Sequence, residues 1–305
     1  MQNVIETINL TKQYGKVKAL DQVSVNVAQG DIYGLIGRNG AGKTTLMKII
    51  NRQIIPSEGK LSVLGEEISK RDNLNLRIGT LIEAPGLYPD LTAYQNLALK
   101  CQLVGYQFNG YIDSLLELVN LAHTGKKKVK NFSLGMKQRL GLAIALVGNP
   151  DVLLLDEPTN GMDPQGIAEF RETILKLNQE RKITIVISSH ILGELSKFIN
   201  KLGIIHEGKL LREECLNDFE SENRDRIILK AQDLNPIVAY LEEQLQLQAF
   251  KVVSPHELYI FEHLNQPELI SHGLIQAGIL FDLFYLERFS LEDMFLNLTG
   301  GVHHA

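Results

Sequence analysis

From Gly37 to Thr44 the chain reads Gly-Arg-Asn-Gly-Ala-Gly-Lys-Thr: a glycine, four residues, then Gly-Lys-Thr. That spacing describes a loop whose backbone N–H groups turn inward around phosphate oxygens, ahead of a helix that points its positive end at the same anion. Lys43 would reach the β and γ phosphates of a nucleotide, and the Thr44 hydroxyl would ligate Mg²⁺. The candidate phosphate-binding set is Gly37, Arg38, Asn39, Gly40, Ala41, Gly42, Lys43, Thr44 and Thr45. A second chemical pair, Asp156-Glu157, follows the apolar run Val152-Leu153-Leu154-Leu155. It falls at the expected carboxyl end of a central strand, where open α/β sheets bind their ligands. Adjacent strand residues point opposite ways, so Asp156 is suited to hold Mg²⁺ through its water shell while Glu157 orients and deprotonates an attacking water. An acidic turn before Pro158 would look the same in isolation; the phosphate loop upstream gives the pair a chemical use.

These groups need a scaffold, and the hydrophobic pattern predicts one. Val4 to Leu10 and Val23 to Val27 alternate apolar and polar residues as half-buried strands do, so the chain opens with a β layer. Asp31 to Ile36 reads as a strand into the loop, Thr44 to Arg52 as the helix after it, and Leu61 to Gly65 as a further strand. Thr92 with Gln95 forms a capping-box signature before Leu97, Leu99 and Leu103, and Tyr111 to Leu121 keeps helical spacing, which predicts a helical insertion. Val152 to Leu155 and Ile183 to Ile187 have the near-continuous apolar character of parallel strands covered on both faces. Asp163-Pro164 is an N-cap followed by proline at the first helical position. Beyond Cys215, strands near Ile227, Lys251 and Leu258 and helices near Ile237 and Pro267 suggest a βαββαβ-like α+β unit, with Ser290 and Asp293 capping a last helix.

Composition narrows the class. Lysine plus arginine is 31 against 36 for aspartate plus glutamate, a net charge of −5, which argues against broad nucleic-acid binding. The run Lys126-Lys127-Lys128 with Lys130 reads as a solvated connection, with acidic lipid the lesser option. Two cysteines, Cys101 and Cys215, far apart and without partners at metal-ligand spacing, make neither a disulfide framework nor a zinc site, and point to a reducing cytosol. No apolar stretch approaches the roughly 20 residues of a membrane span, and no secretory signal opens the chain. His303 and His304 carry no assigned metal role.

Phe132-Ser133-Leu134-Gly135-Met136-Lys137-Gln138-Arg139 resembles the signature motif of ATP-binding-cassette (ABC) ATPases, usually Leu-Ser-Gly-Gly-Gln, with departures at Phe132, Leu134 and Met136. Asn160-Gly161-Met162-Asp163 is similar to that family's D-loop, and Ser189-His190 to its switch histidine. The motifs come in the family's order over about Met1 to Leu211. The resemblance implies that Ser133, Gly135 and Met136 meet the γ-phosphate of a nucleotide held by a second subunit, with Asp163 alongside, that His190 senses the γ-phosphate, and that Tyr14 stacks on adenine. A core histidine and a surface turn tyrosine are the plain alternatives for the last two. At Glu83 the family normally has a glutamine that contacts Mg²⁺ and attacking water and couples to the membrane partner. Glutamate there, with Ser133-Leu134-Gly135-Met136, resembles the subfamily of bacitracin-resistance and lantibiotic-immunity exporters. An exposed loop acid is the alternative for Glu83.

What the resemblance implies is an α/β fold, a P-loop cassette with a RecA-like core, an antiparallel β layer and a helical subdomain at about 84–150, spanning 1–212, and a small α+β domain at 213–305. It implies an ATPase using ATP and Mg²⁺, a second identical ATPase subunit, separately encoded transmembrane permease subunits, no nucleic acid, and a cytoplasmic position on the inner face of the cell membrane. Leu291 to Leu296 resembles a tail common in such exporters. The alternatives are an ABC exporter of another substrate and a soluble cassette ATPase acting on ribosomes or DNA, which would generally carry two cassettes or a long coiled-coil insertion.

Overall fold

In a computed structural model, which describes residues 2–67, 77–106, 110–222 and 224–288 with Phe295 and Leu298, the polar loops converge on one edge of a central sheet. The chain opens with β1 (Asn3–Tyr14), β2 (Val17–Val23) and β3 (Asn26–Ala28), then runs through β4 (Ile32–Ile36) into helix α1 (Lys43–Ile50). β5 (Glu58–Val63) and β6 (Glu66–Glu67) follow, then β7 (Ile78–Leu81) and three helices, α2 (Ala93–Leu103), α3 (Tyr111–Leu118) and α4 (Leu134–Ala145). β8 (Val152–Asp156), α5 (Pro164–Arg181), β9 (Thr184–Ser189), α6 (Leu192–Leu195), β10 (Lys201–His206) and β11 (Lys209–Cys215) complete the first unit.

The central sheet has the order β11-β10-β4-β9-β8-β7. Only β11 is antiparallel to its neighbour; the other five strands are parallel, with Ile36 opposite Ser189 and Asp156 opposite Ser188. β4, β8 and β9 are buried along their whole length, which is why their sequences are apolar without alternation. A second, antiparallel sheet in the order β2-β1-β5-β6, with β3 on β1, forms the other layer. Leu46, Met47, Ile49 and Ile50 of α1 join Ile5, Leu10 and Leu61 of that layer and Leu35 and Leu154 of the parallel sheet in one core. Each such fully buried side chain contributes on the order of 1.5–3 kcal/mol, which fixes α1, and so the phosphate loop, between the two sheets.

The helical insertion is capped as expected. Thr92 accepts from the Gln95 N–H and the Gln95 side chain accepts from the Thr92 N–H. The lysine run is held against the segment after β7, with Val129 N–H donating to the Leu91 carbonyl and Lys130 paired with Asp90.

The chain divides into units Met1–Leu216 and Asn217–Ala305. The division falls just past the expected residue 212 because β11 pairs with β10 out to Cys215. After α7 (Leu216–Glu222), the second unit comprises β12 (Arg226–Lys230), α8 (Asn235–Glu243), β13 (Phe250–Ser254), β14 (Glu257–Ile260), α9 (Pro267–Gln276) and β15 (Leu283–Glu287). It is a four-stranded antiparallel sheet in the order β13-β14-β12-β15, with Ile227, Leu229, Leu258 and Ile260 packed against Ile237 and Leu241 of α8 and Ile270 and Leu274 of α9. The predicted Ser290–Asp293 cap, the Leu291–Leu296 tail apart from Phe295, and His303 and His304 lie outside the described residues. Among the described residues no helix is long and apolar enough to cross a membrane.

Candidate functional site

The carboxyl ends of β4, β9, β8 and β7 lie side by side and carry, in that order, the phosphate loop, Ser188 to His190, Asp156-Glu157 and Glu83. Gly40 and Gly42 adopt φ of 81° and 112°. Side-chain-bearing residues rarely adopt that second angle, and a Cβ on Gly42 would stand 2.7 Å from the Ala19 carbonyl oxygen. Glycine is therefore required where the loop passes under β2 and enters α1.

Lys43 opens α1 and is almost wholly buried, 5% exposed. Its amine donates to the Gly37 carbonyl at 2.6 Å and the Arg38 carbonyl at 3.2 Å, and stands 3.1 Å from Glu157 Oε1. Thr44 donates its hydroxyl to Asp156 Oδ2 at 2.6 Å, joining the loop to the end of β8. The other Asp156 oxygen accepts from the Ser188 hydroxyl at 2.6 Å, and Ser188 Oγ in turn accepts the Glu157 N–H at 2.9 Å. Ser188 thus orients both acids, and sequence reasoning missed it. Its only sequence signal was its place between the apolar run Ile183 to Ile187 and Ser189-His190.

Glu157 takes the left-handed conformation, φ 48°, which turns it out of the sheet just past Asp156. Its Oε2 shares a 2.7 Å hydrogen bond with His190 Nδ1. An ionised carboxylate is an acceptor only, so Nδ1 must carry the proton in that state. Ser189 Oγ accepts the Ile191 N–H and so fixes the turn that presents His190. Glu157 Oε1 is buried and, although close to the Lys43 amine, makes no hydrogen bond.

The remaining candidates make no described hydrogen bond or ion pair to this cluster. Ser133 caps α4, accepting the Met136 N–H at 3.3 Å, and Asp163 caps α5, accepting the Gly166 N–H at 3.0 Å. The two caps are neighbours: a Cβ on Gly161 would lie 2.7 Å from Leu134 Cδ2, and one on Gly135 3.9 Å from Met162 Cγ. Among the described residues no hydrogen bond or ion pair joins Ser133, Gly135, Met136 or Asp163 to the phosphate loop. Tyr14 ends β1, half exposed, with the Lys12 amine 4.9 Å above its ring. Glu83 is 64% exposed, in the left-handed region at φ 61°, and ion-paired with Lys48 of α1, a residue the sequence did not single out.

As for a divalent ion, no cluster of three or more His, Cys, Asp or Glu among the described residues could hold one alone. The hydroxyl of Thr44 and the carboxylate of Asp156 are hard oxygen donors 2.6 Å apart beside a phosphate loop. Mg²⁺ suits such a site, since it keeps several waters and takes its other ligands from substrate phosphates.

Comparison with known proteins places these features in context. The ABC transporter family model matches residues 20–160. The bacitracin transport ATP-binding protein BcrA of Bacillus licheniformis is 42% identical over 302 residues, covering 99% of each chain. The lantibiotic transport ATP-binding protein SrtF of Streptococcus pyogenes is 46% identical over 213 residues, 70% of this chain and 91% of its own. Among solved structures, the dimeric ATP-binding cassette MJ0796 in a post-hydrolysis state with ADP and Pi overlays with a TM-score of 0.63 at 26% identity, covering 70% of this chain and 98% of that one.

Proposed function

This chain belongs to the ABC transporter family as an ATP-binding, ATP-hydrolysing subunit, and from that premise we propose that it drives export of a peptide antibiotic of the bacitracin or lantibiotic type. The support for that substrate class is the full-length likeness to a protein named for bacitracin transport and the likeness over the first unit to one named for lantibiotic transport.

The observation that carries the chemistry is the pair of linkages Thr44–Asp156 and Lys43–Glu157–His190 across three neighbouring strand ends. With ATP on the phosphate loop, the Lys43 amine turns from the Gly37 and Arg38 carbonyls to the β and γ phosphates. Thr44 and Asp156 are the residues that would hold Mg²⁺, with Glu83 a further acid at the same sheet edge. The ion would supply charge neutralisation at the phosphates. Glu157 keeps Oε1 for the proton of the attacking water, while His190 holds Oε2 and faces the γ-phosphate. Tyr14 provides a ring for the adenine.

One chain carries one phosphate loop and one signature helix. The N-terminal turn of α4, with Ser133, Gly135 and Met136, and the D-loop Asp163 then serve the nucleotide of a second copy in a two-fold dimer. The partner across the membrane is a separately encoded permease. It would receive the nucleotide state through the segment from Glu83 to Leu91 and the helical insertion. The working place of the chain is the inner face of the cell membrane.

The test is survival of cells carrying the chain and its permease against bacitracin and a panel of lantibiotics. Wild type is expected to protect, and Glu83→Ala to lose most protection while the purified variant keeps its ATP affinity. Full protection by Glu83→Ala would reduce Glu83 to a loop acid, and no protection by wild type would remove the antibiotic reading.

A further inference from the structure

Two acids leave the parallel sheet at the same level. In β7 and β8, Leu81 is opposite Leu155, so Glu83 and Glu157, each two residues further on, follow the last pairs of neighbouring strands. Both adopt the left-handed conformation, at φ 61° and 48°, which is unfavourable for side-chain-bearing residues and persists where surroundings hold it. Each is met by a lysine of the same helix: Glu157 by Lys43 at the start of α1 and Glu83 by Lys48, five residues on. Lys48 follows Thr44 by four residues, one helical turn. The Lys48 side chain is 24% exposed and the Glu83 side chain 64%, so the pair runs from a largely covered position on the helix to an exposed one on the loop.

A bound triphosphate brings several negative charges to the amino end of α1. An unpaired carboxylate at that edge would repel it, and Lys48 is the cation in contact with Glu83. We propose that Lys48 is a positioning residue: it neutralises Glu83 and holds it to the phosphate-loop helix, so that this acid can stand at the nucleotide's edge without weakening binding. The inference deepens the role proposed for Glu83 and rests on ATP lying on the phosphate loop. It makes the Glu83 loop report on α1 through one ion pair, which a neutral residue at either position would not do.

The experiment is a double-mutant cycle on the purified full chain, with ATP affinity in the presence of Mg²⁺, turnover and thermal midpoint measured for wild type, Lys48→Met, Glu83→Gln and the double variant, plus Lys48→Arg. Lys48→Met is expected to weaken ATP binding about twofold to fivefold, the range of a partly exposed ion pair. The double variant should return toward wild-type affinity, because the neutral amide no longer needs a cation, and Lys48→Arg should match wild type. Turnover at saturating ATP should change less than affinity. Additive effects in the cycle, or wild-type affinity in Lys48→Met, would overturn the inference while leaving the ATP site standing. Failure of wild type itself to bind ATP would overturn both.

Discussion

Glu157 holds one oxygen on His190 and leaves the other, buried beside the Lys43 amine, without a hydrogen bond. That arrangement separates two roles that mutation can tell apart. Glu157→Gln should retain ATP and lose turnover by about 10²- to 10⁴-fold, the usual contribution of a positioned base, whereas Lys43→Ala should weaken ATP binding itself. Nucleotide titration and phosphate release on both variants provide the check, and unchanged turnover in Glu157→Gln would remove the base assignment. Ser188 gives a second expectation. Its hydroxyl bonds Asp156 and receives the Glu157 N–H, so Ser188→Ala should slow turnover about 10- to 100-fold, as loss of a group that orients metal-holding side chains generally does. Equal turnover in Ser188→Ala would mean the two acids hold their places without it. Lys43, Thr44, Asp156 and Glu157 were legible because a phosphate loop and a strand-end acid pair need fixed residue types at fixed spacing. Ser188 and Lys48 were not, since each acts on a partner 32 or 35 residues away that only folding brings near.

At the scale of elements, α4 and the loop after β7 meet at a residue without a side chain. A Cβ on Gly141 would stand 2.8 Å from both Leu81 Cδ1 and Pro85 Cβ. The leucine methyl can turn away, but the proline ring is fixed to the backbone beside Glu83. Gly141→Ala should therefore displace the Glu83 loop: ATP binding by the purified chain should hold within about twofold, while protection in cells falls and the thermal midpoint drops by a few degrees, as about 1 kcal/mol would give. Intact protection would show that the loop's position is immaterial to coupling. Strands β4, β8 and β9 and the caps at Thr92 and Asp163 could be read in sequence because burial on both faces and helix-end hydrogen bonds each leave a local pattern, whereas β10 was not singled out. β15 could not. Its exposures vary with only Phe284 and Leu286 facing the core, and its place beside β12 depends on pairing across more than 50 residues.

At the scale of the whole molecule, the first unit is an ATPase cassette, and the proposed dimer makes its site half of a shared one. The phosphate loop, the acid pair and His190 gather at one sheet edge, while Ser133 and Asp163 cap helices elsewhere and make no described bond to them. In the proposed two-fold dimer a second copy would bring its α4 to the first copy's nucleotide, so that assembly and catalysis would be one event. A site shared between two chains is tested by sedimentation of Glu157→Gln, which should hold ATP without consuming it. The variant should be a monomer in the absence of nucleotide and a dimer with two bound ATP at saturating Mg²⁺ and ATP, and adding Ser133→Arg should abolish that dimer. A species that stays monomeric with ATP bound, or a dimer that forms equally well with Ser133→Arg, would contradict a site shared between two chains.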